Sequence, residues 1–171
     1  MDATTLRSLQ APLKQKYRDN PESARIVARA EVVLDPSQIA ARLSGGALRS
    51  AGLHQAAGGT GADACSADML LEALAACAGV TLVAVATSMG CPLTGGRVVA
   101  EGVWDARGTL GVDKTAQVGI QDIKIAFELE GDLDEPTRQR LIQLTERYCV
   151  ILATLRHPPE VSVAISGSAP T

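Results

Sequence analysis

The chain has 171 residues, 46% of them hydrophobic and only 2% aromatic, with a formal net charge of −3. That length and apolar content suit one folded domain with a sizeable core and exclude a disordered chain. With both charge signs mixed and no basic block, nucleic acid is not an expected partner.

The scarcity of aromatic rings leaves Ala, Val, Leu and Ile to build the core, a set that often needs a second chain to bury enough surface. Leu6, Leu9, Leu13 and Tyr17 recur at helical spacing and predict a helix over 3–17, ended by Asn20-Pro21. The opening MDATTLRSLQAPLKQK carries no long apolar core, so no export signal is expected and the cytoplasm is the expected compartment. Residues 25–34 alternate, with Ile26, Ala28, Ala30, Val32 and Leu34 on one side, which predicts a half-buried strand. A second, broken strand is expected over 39–43 and 47–53, bent at Gly45-Gly46.

Ser66 then serves as the expected N-cap of a helix reaching about Met89, where Gly90 stops it and Pro92 prevents its resumption. The run from Met69 is long enough to span a bilayer, but Glu72, Thr81 and the many alanines favour a buried central helix instead. Strands follow over 97–104 and 117–130, the latter with Ile123, Ile125, Phe127 and Leu129 opposing Lys124, Glu128 and Glu130. Pro136 opens a last helix carrying Leu141, Leu144 and Tyr148. Pro158-Pro159 breaks that helix, Val161, Val163 and Ile165 predict a short final strand, and 166–171 form a flexible tail. The sum is a single α+β domain over 1–171, with a mainly antiparallel sheet and an N-terminal helical extension over 1–20.

Four cysteines, Cys65, Cys77, Cys91 and Cys149, are expected to be free in a reducing compartment, either reactive or simply buried. Cys77 shares a helical stripe with Leu70, Ala73, Leu74, Val80, Thr81 and Ala84, and such a stripe normally means core. Cys149 falls on the stripe of Ile142, Thr145 and Leu152 if its helix persists past Tyr148. Two helices, each covering one sheet face, would then carry one cysteine apiece toward a shared interior. A peroxidatic and a resolving thiol need that arrangement, and two inert core thiols are equally compatible with it. Cys65, at a helix N-terminus, is a rival reactive thiol. No metal site is expected, because CxxC, HxxxH and CxxxH pairs are absent, and no bound cofactor is implied.

The segment Ser66-Ala-Asp-Met-Leu-Leu-Glu-Ala-Leu-Ala-Ala-Cys77 resembles the central-helix motif of the OsmC/Ohr superfamily, and Arg147-Tyr-Cys149 before a short helix resembles its second cysteine site. The resemblance covers roughly residues 24–166 and implies an OsmC-like fold, with antiparallel sheets packed around long central helices in an intertwined homodimer. The 3–17 helix is expected to pack across that dimer. The resemblance also implies reduction of organic hydroperoxides at the expense of a dithiol donor, with Cys77 peroxidatic and Cys149 resolving and no membrane as partner. A non-catalytic member of the fold, binding a small apolar or thiol-reactive ligand at the dimer interface, is the alternative. The chain departs from the family pattern at three places. Ala67 stands where a glutamate is usual, and Val150 where many members have proline. The turn Leu34-Asp-Pro-Ser-Gln38 lacks the arginine that stabilises the thiolate, leaving Arg42 and Arg49 as the nearest substitutes. Without a fixed cation, Cys77 in an apolar site is expected to have a raised pKa.

Overall fold

The computed structural model describes residues 50–165 except Val112, the segments 32–35 and 40–43, and the single positions 2, 4, 5, 8, 11, 15 and 19. Positions 4, 5, 8, 11, 15 and 19 are helical, in keeping with the predicted N-terminal helix. Residues 25–31, the Gly45-Gly46 bend and the 166–171 tail lie outside the described residues.

Strands β1 (Val32–Asp35) and β2 (Ala40–Leu43) pair antiparallel, β2 pairs antiparallel with β3 (Ala51–Gly52), and β3 pairs parallel with β4 (Ala64–Cys65). A turn of 3-10 helix, Gln55–Ala57, sits between β3 and β4. Helix α1 then runs Ser66–Met89. Its C-cap, Gly90, has φ 68°, a left-handed conformation that glycine adopts without steric cost, and its N–H bonds back to the last turn. At the other end the N-cap is Cys65 rather than Ser66, and no side chain caps the helix.

Strands β5 (Leu93–Val103) and β6 (Gln121–Gly131) form an antiparallel pair in which Val98 opposes Phe127 and Ala100 opposes Ile125. The pairing is longer at its start than the sequence pattern predicts, because Gly95 and Gly96 carry no side chain with which to show alternation. β6 begins at Gln121 rather than 117, since Gln121 is the residue opposite Val103 and β5 offers no partner beyond it. One short helix, α2 (Ala106–Thr109), lies in the connection. On the outer face Arg97 makes a two-pronged ion pair with Glu128 at 2.6 and 2.9 Å, fully solvated and so of small energetic value.

Helix α3 (Glu135–Tyr148) is capped by Asp134, whose carboxylate accepts from the Thr137 N–H, with a proline in its first turn. The chain leaves helical geometry at Cys149 and resumes as α4 (Val150–Arg156). The expected single helix through Leu152 is therefore two helices. α3 also packs chiefly on α1 rather than on a sheet face of its own.

Helix α1 buries a stripe of Leu74, Ala78, Leu82 and Ala86, one residue every fourth position. Leu74 and Ala78 meet Cys149 and Leu152, with Val98, Ala100, Ile123, Ile125 and Phe127 packed beneath from the β5–β6 face. Ala86, Leu133 and Leu141 form a second cluster, which takes in Cys91. Within one chain the described elements cover the helix on one side. Leu70 and Val80, both assigned to the core stripe by sequence, are 39% and 73% exposed, and only 28% of the most apolar 18-residue window is buried. The buried stripe is rotated from where the sequence pattern puts it, because β5, α3 and α4 all approach from one side. The predicted strand at 161–165 is also absent. Val161, Val163 and Ile165 are 84%, 90% and 99% exposed and pair with no edge among the described residues, and alternation without a neighbouring strand forms no ladder.

Candidate functional site

The break at Cys149 creates the site. Cys149 has φ −71° and ψ 110°, an extended peptide that turns the following N–H groups out of the α3 ladder. Its own N–H still reaches the Thr145 carbonyl at 2.9 Å, and its carbonyl receives the Ala153 N–H at 2.9 Å, so the interruption is confined to one residue. The N–H groups of Val150, Ile151 and Leu152 are left at the start of α4, directed at two sulfurs. Val150 and Ile151 donate to Cys77, and Leu152 and Ile151 donate to Cys149.

The two thiols share one packed cluster, close enough for each to shift the acidity of the other. Cys149 is fully buried between Leu74, Ala78 and Leu152, whereas Cys77 is half-buried at the edge of the same cluster. Both are free thiols. Their acidities diverge. Burial alone would push Cys77 up, but the Ile151 N–H, the Cys149 thiol, the Val150 N–H and the Thr81 hydroxyl together outweigh it and hold Cys77 below the ordinary thiol value. Burial pushes Cys149 up, and so do its bond to Cys77 and the charge that Cys77 acquires; the Leu152 and Ile151 N–H groups offset only part of this. The expectation that Cys77 would be raised for want of a cation is thus overturned, since backbone donors supply what an arginine would.

Of the two arginines named as substitutes, Arg42 stands on β2 opposite Val33, with its side chain outside the described residues, as is the whole of Arg49. Arg147, next along the chain to the site, lies over the Tyr148 ring at 5.6 Å. Cys65 is half-buried at the start of α1 and is brought to neither sulfur, nor is Cys91, which belongs to the second cluster. Among the described residues no three His, Cys, Asp or Glu side chains gather to hold a metal ion. A groove of about 530 Å³ between α1 and β5, bordered by Ala76, Gly79, Val83, Leu93 and Val98, runs along the neighbouring face of α1, and neither sulfur lines it.

Three contributors escaped sequence reading: the Val150 and Ile151 N–H groups and the Thr81 hydroxyl. Backbone donors leave no trace in side-chain pattern, although two β-branched residues directly after a cysteine are a weak sign of a helix restart. Thr81 was visible at four residues from Cys77, the spacing that puts two side chains on one helix face.

This arrangement, a central-helix thiol meeting a second thiol at a helix break over an antiparallel pair of strands, defines an α+β protein with a dithiol site. The sequence profile of the OsmC-like protein family matches residues 59–164, and the chain belongs to that family. Among solved structures, it is similar to an OsmC-like protein from Mycoplasma pneumoniae at 16% identity and a TM-score of 0.64, over 78% of this chain and 89% of that one. The organic hydroperoxide resistance protein OsmC from Legionella pneumophila matches at 15% identity and a TM-score of 0.58, over 78% and 93%. An OsmC-like protein of unknown function from Vibrio cholerae matches at 12% identity and a TM-score of 0.57, over 76% and 94%. No curated protein sequence matches the chain.

Proposed function

We propose that the protein is a thiol-dependent reductase of organic hydroperoxides, with Cys77 peroxidatic and Cys149 resolving. The Cys77 thiolate attacks the distal peroxide oxygen; the O–O bond breaks and the leaving alkoxide takes up a proton, giving an alcohol and a sulfenic acid on Cys77. Cys149, giving up its proton to the departing hydroxyl, then attacks that sulfur as the thiolate, forming a disulfide and releasing water. A dithiol donor, oxidised in turn, returns both cysteines to thiols. The observation that carries this reading is that Cys77 and Cys149 meet in one packed cluster with their acidities shifted in opposite directions. The half-buried member is the more readily ionised nucleophile, and the fully buried one keeps its proton until the second step draws it off. The Legionella neighbour's hydroperoxide resistance is consistent with this assignment.

The working unit in this reading is a homodimer. Val80 and Val83 on α1, together with Tyr148 and Val150 beside the site, are 55–73% exposed, an apolar surface that water solvates poorly and a second copy would cover. Four free thiols suit a reducing compartment such as the cytoplasm.

The test is a thiol titration before and after one equivalent of cumene hydroperoxide. Rapid loss of two thiols per chain, abolished in Cys77→Ser, is expected; slow loss, or loss unchanged in Cys77→Ser, refutes the reading. The groove beside α1 favours a second reading, a non-catalytic protein that holds a small apolar molecule there. Saturable ligand binding without thiol consumption would establish it.

A further inference from the structure

Thr81 stands one turn beyond Cys77, half-buried in a helix whose other residues near this point are Ala, Gly, Val and Leu. Its Oγ1 lies 2.7 Å from the Cys77 carbonyl oxygen, to which the hydroxyl donates. Such back-bonds satisfy a hydroxyl in apolar surroundings but slightly weaken a helix, so packing gives no reason to prefer threonine here over alanine. The Cys77 carbonyl already receives the Thr81 N–H within the helical ladder. The hydroxyl hydrogen can therefore rotate away without leaving that carbonyl unpaired. The Cys77 side chain stands four residues before Thr81 on the same helix face, which makes its sulfur the neighbour of the same hydroxyl. A hydroxyl has one hydrogen and two lone pairs, so it can serve the two partners in turn.

We propose that Thr81 is a catalytic residue of the thiol site, its hydroxyl turning from the Cys77 carbonyl to the Cys77 sulfur when that sulfur ionises. In the thiol state the Cys77 S–H donates to Thr81 Oγ1 while Oγ1–H stays on the carbonyl. In the thiolate state Oγ1–H points to the sulfur. The other donors to this sulfur, the Val150 and Ile151 N–H groups and the Cys149 thiol, all come from the α3–α4 junction. Thr81 is the donor from Cys77's own helix, and it stays in place whatever the junction does when Cys149 moves to form the disulfide. The role rests on the peroxidase reading for its catalytic meaning, while the ionisation it controls is independent of peroxide.

The groups around Cys77 are few. The face that β5 and β6 turn to α1 is apolar at Val98, Ala100, Ile123, Ile125 and Phe127. Asp68 and Glu72 on α1 are exposed, Arg147 stacks on Tyr148, and Glu146 pairs with Arg156 at 2.9 Å. Among the described residues Cys149 is the titrating group beside Cys77, and it is common to every variant below.

The test compares wild type with Thr81→Val, which keeps the β-branched shape and removes the hydroxyl, and with Thr81→Ser, which keeps the hydroxyl. Thr81→Ala serves in place of Thr81→Val if valine perturbs the fold by circular dichroism. Two readouts are taken across pH: iodoacetamide alkylation of Cys77, followed by peptide mass spectrometry, and the second-order rate with cumene hydroperoxide. Loss of one hydrogen bond to the thiolate is expected to slow alkylation of Thr81→Val at neutral pH by roughly three- to tenfold. Its profile should move to higher pH and reach the wild-type plateau there, and Thr81→Ser should regain most of the loss. Superimposable profiles for wild type and Thr81→Val, or a Thr81→Ser as slow as Thr81→Val, would overturn the proposal. Failure of the wild type to consume peroxide would overturn the peroxidase reading, and the catalytic meaning with it, while the alkylation profiles would still decide the hydroxyl's hold on the sulfur.

Discussion

Val150→Pro separates the backbone donors from every other influence on Cys77. Val150 is the first residue of α4, and proline is well suited to a first helical position because its fixed φ matches the helix. The preceding residue must be extended, and Cys149, at φ −71° and ψ 110°, already is. The Val150 side chain is 68% exposed, so little packing is lost. Proline at a compatible position stabilises by about 0.4–1 kcal/mol through the unfolded chain, which for a protein of this size raises Tm by roughly 1–4 °C. The same substitution deletes one N–H donor to the Cys77 sulfur. At about 0.5–1.5 kcal/mol for a hydrogen bond, the thiolate fraction at neutral pH falls roughly two- to tenfold. The variant should therefore be more heat-stable and less reactive at once. Differential scanning fluorimetry and iodoacetamide alkylation of Cys77 at pH 7 read the two effects. An alkylation rate equal to wild type with Tm raised would show that the Val150 N–H does not support the thiolate. A lowered Tm would show that the extended geometry at Cys149 is misread.

Other outcomes follow from the same geometry. Because Cys77 is held below the ordinary thiol value of 9.0 and Cys149 above it, alkylation should show two steps with pH, the first assigned to Cys77; a single step at or above 9.0 refutes the ordering. Asp134→Ala removes the α3 cap and should cost about 1 kcal/mol, lowering Tm by roughly 2–4 °C without changing the alkylation rate of Cys77. Leu74→Ala, at a fully buried position in contact with Cys149, should cost about 3–5 kcal/mol by urea unfolding. Val80→Asp, on the exposed face of α1, should shift sedimentation from dimer to monomer; an unchanged sedimentation coefficient refutes that face as the interface.

Much of the fold was legible because side chains announce it. Ile123, Ile125, Phe127 and Leu129 alternate on a strand with one wet face, and Gly90, followed by Pro92, ends the central helix. Leu70 and Val80 stand exposed within one chain, and Val161, Val163 and Ile165 form no strand, because hydropathy reports that a residue should be covered, not by what. The chain supplies cover on one side of α1 only, and no described edge accepts the last segment. The cysteine pair was legible from two motifs seventy residues apart, but its electrostatics was not. An arginine was sought because side chains are what a sequence displays, whereas the donors at Val150 and Ile151 are main chain.

The helix break also accounts for the asymmetry between the sulfurs. Had α3 continued through Leu152, the N–H groups of Val150, Ile151 and Leu152 would have been spent on carbonyls one turn back, and both thiols would have sat in hydrocarbon with raised pKa. With the peptide turned at Cys149, those donors are shared between the two sulfurs, and what divides the outcome is burial. Cys149, at 0% exposure, loses more to desolvation than its donors return and then feels the charge of its neighbour. Cys77, at the edge of the cluster, pays less and gains from the Cys149 thiol itself. Each sulfur thus shifts the other's acidity in the opposite direction, the division that suits the proposed two-thiol reaction, in which one partner ionises more readily than the other. A cation near Cys77 would acidify that sulfur but would also stabilise a Cys149 thiolate in contact with it. Fixed backbone dipoles, aimed at particular sulfur positions, sharpen the difference instead of blurring it.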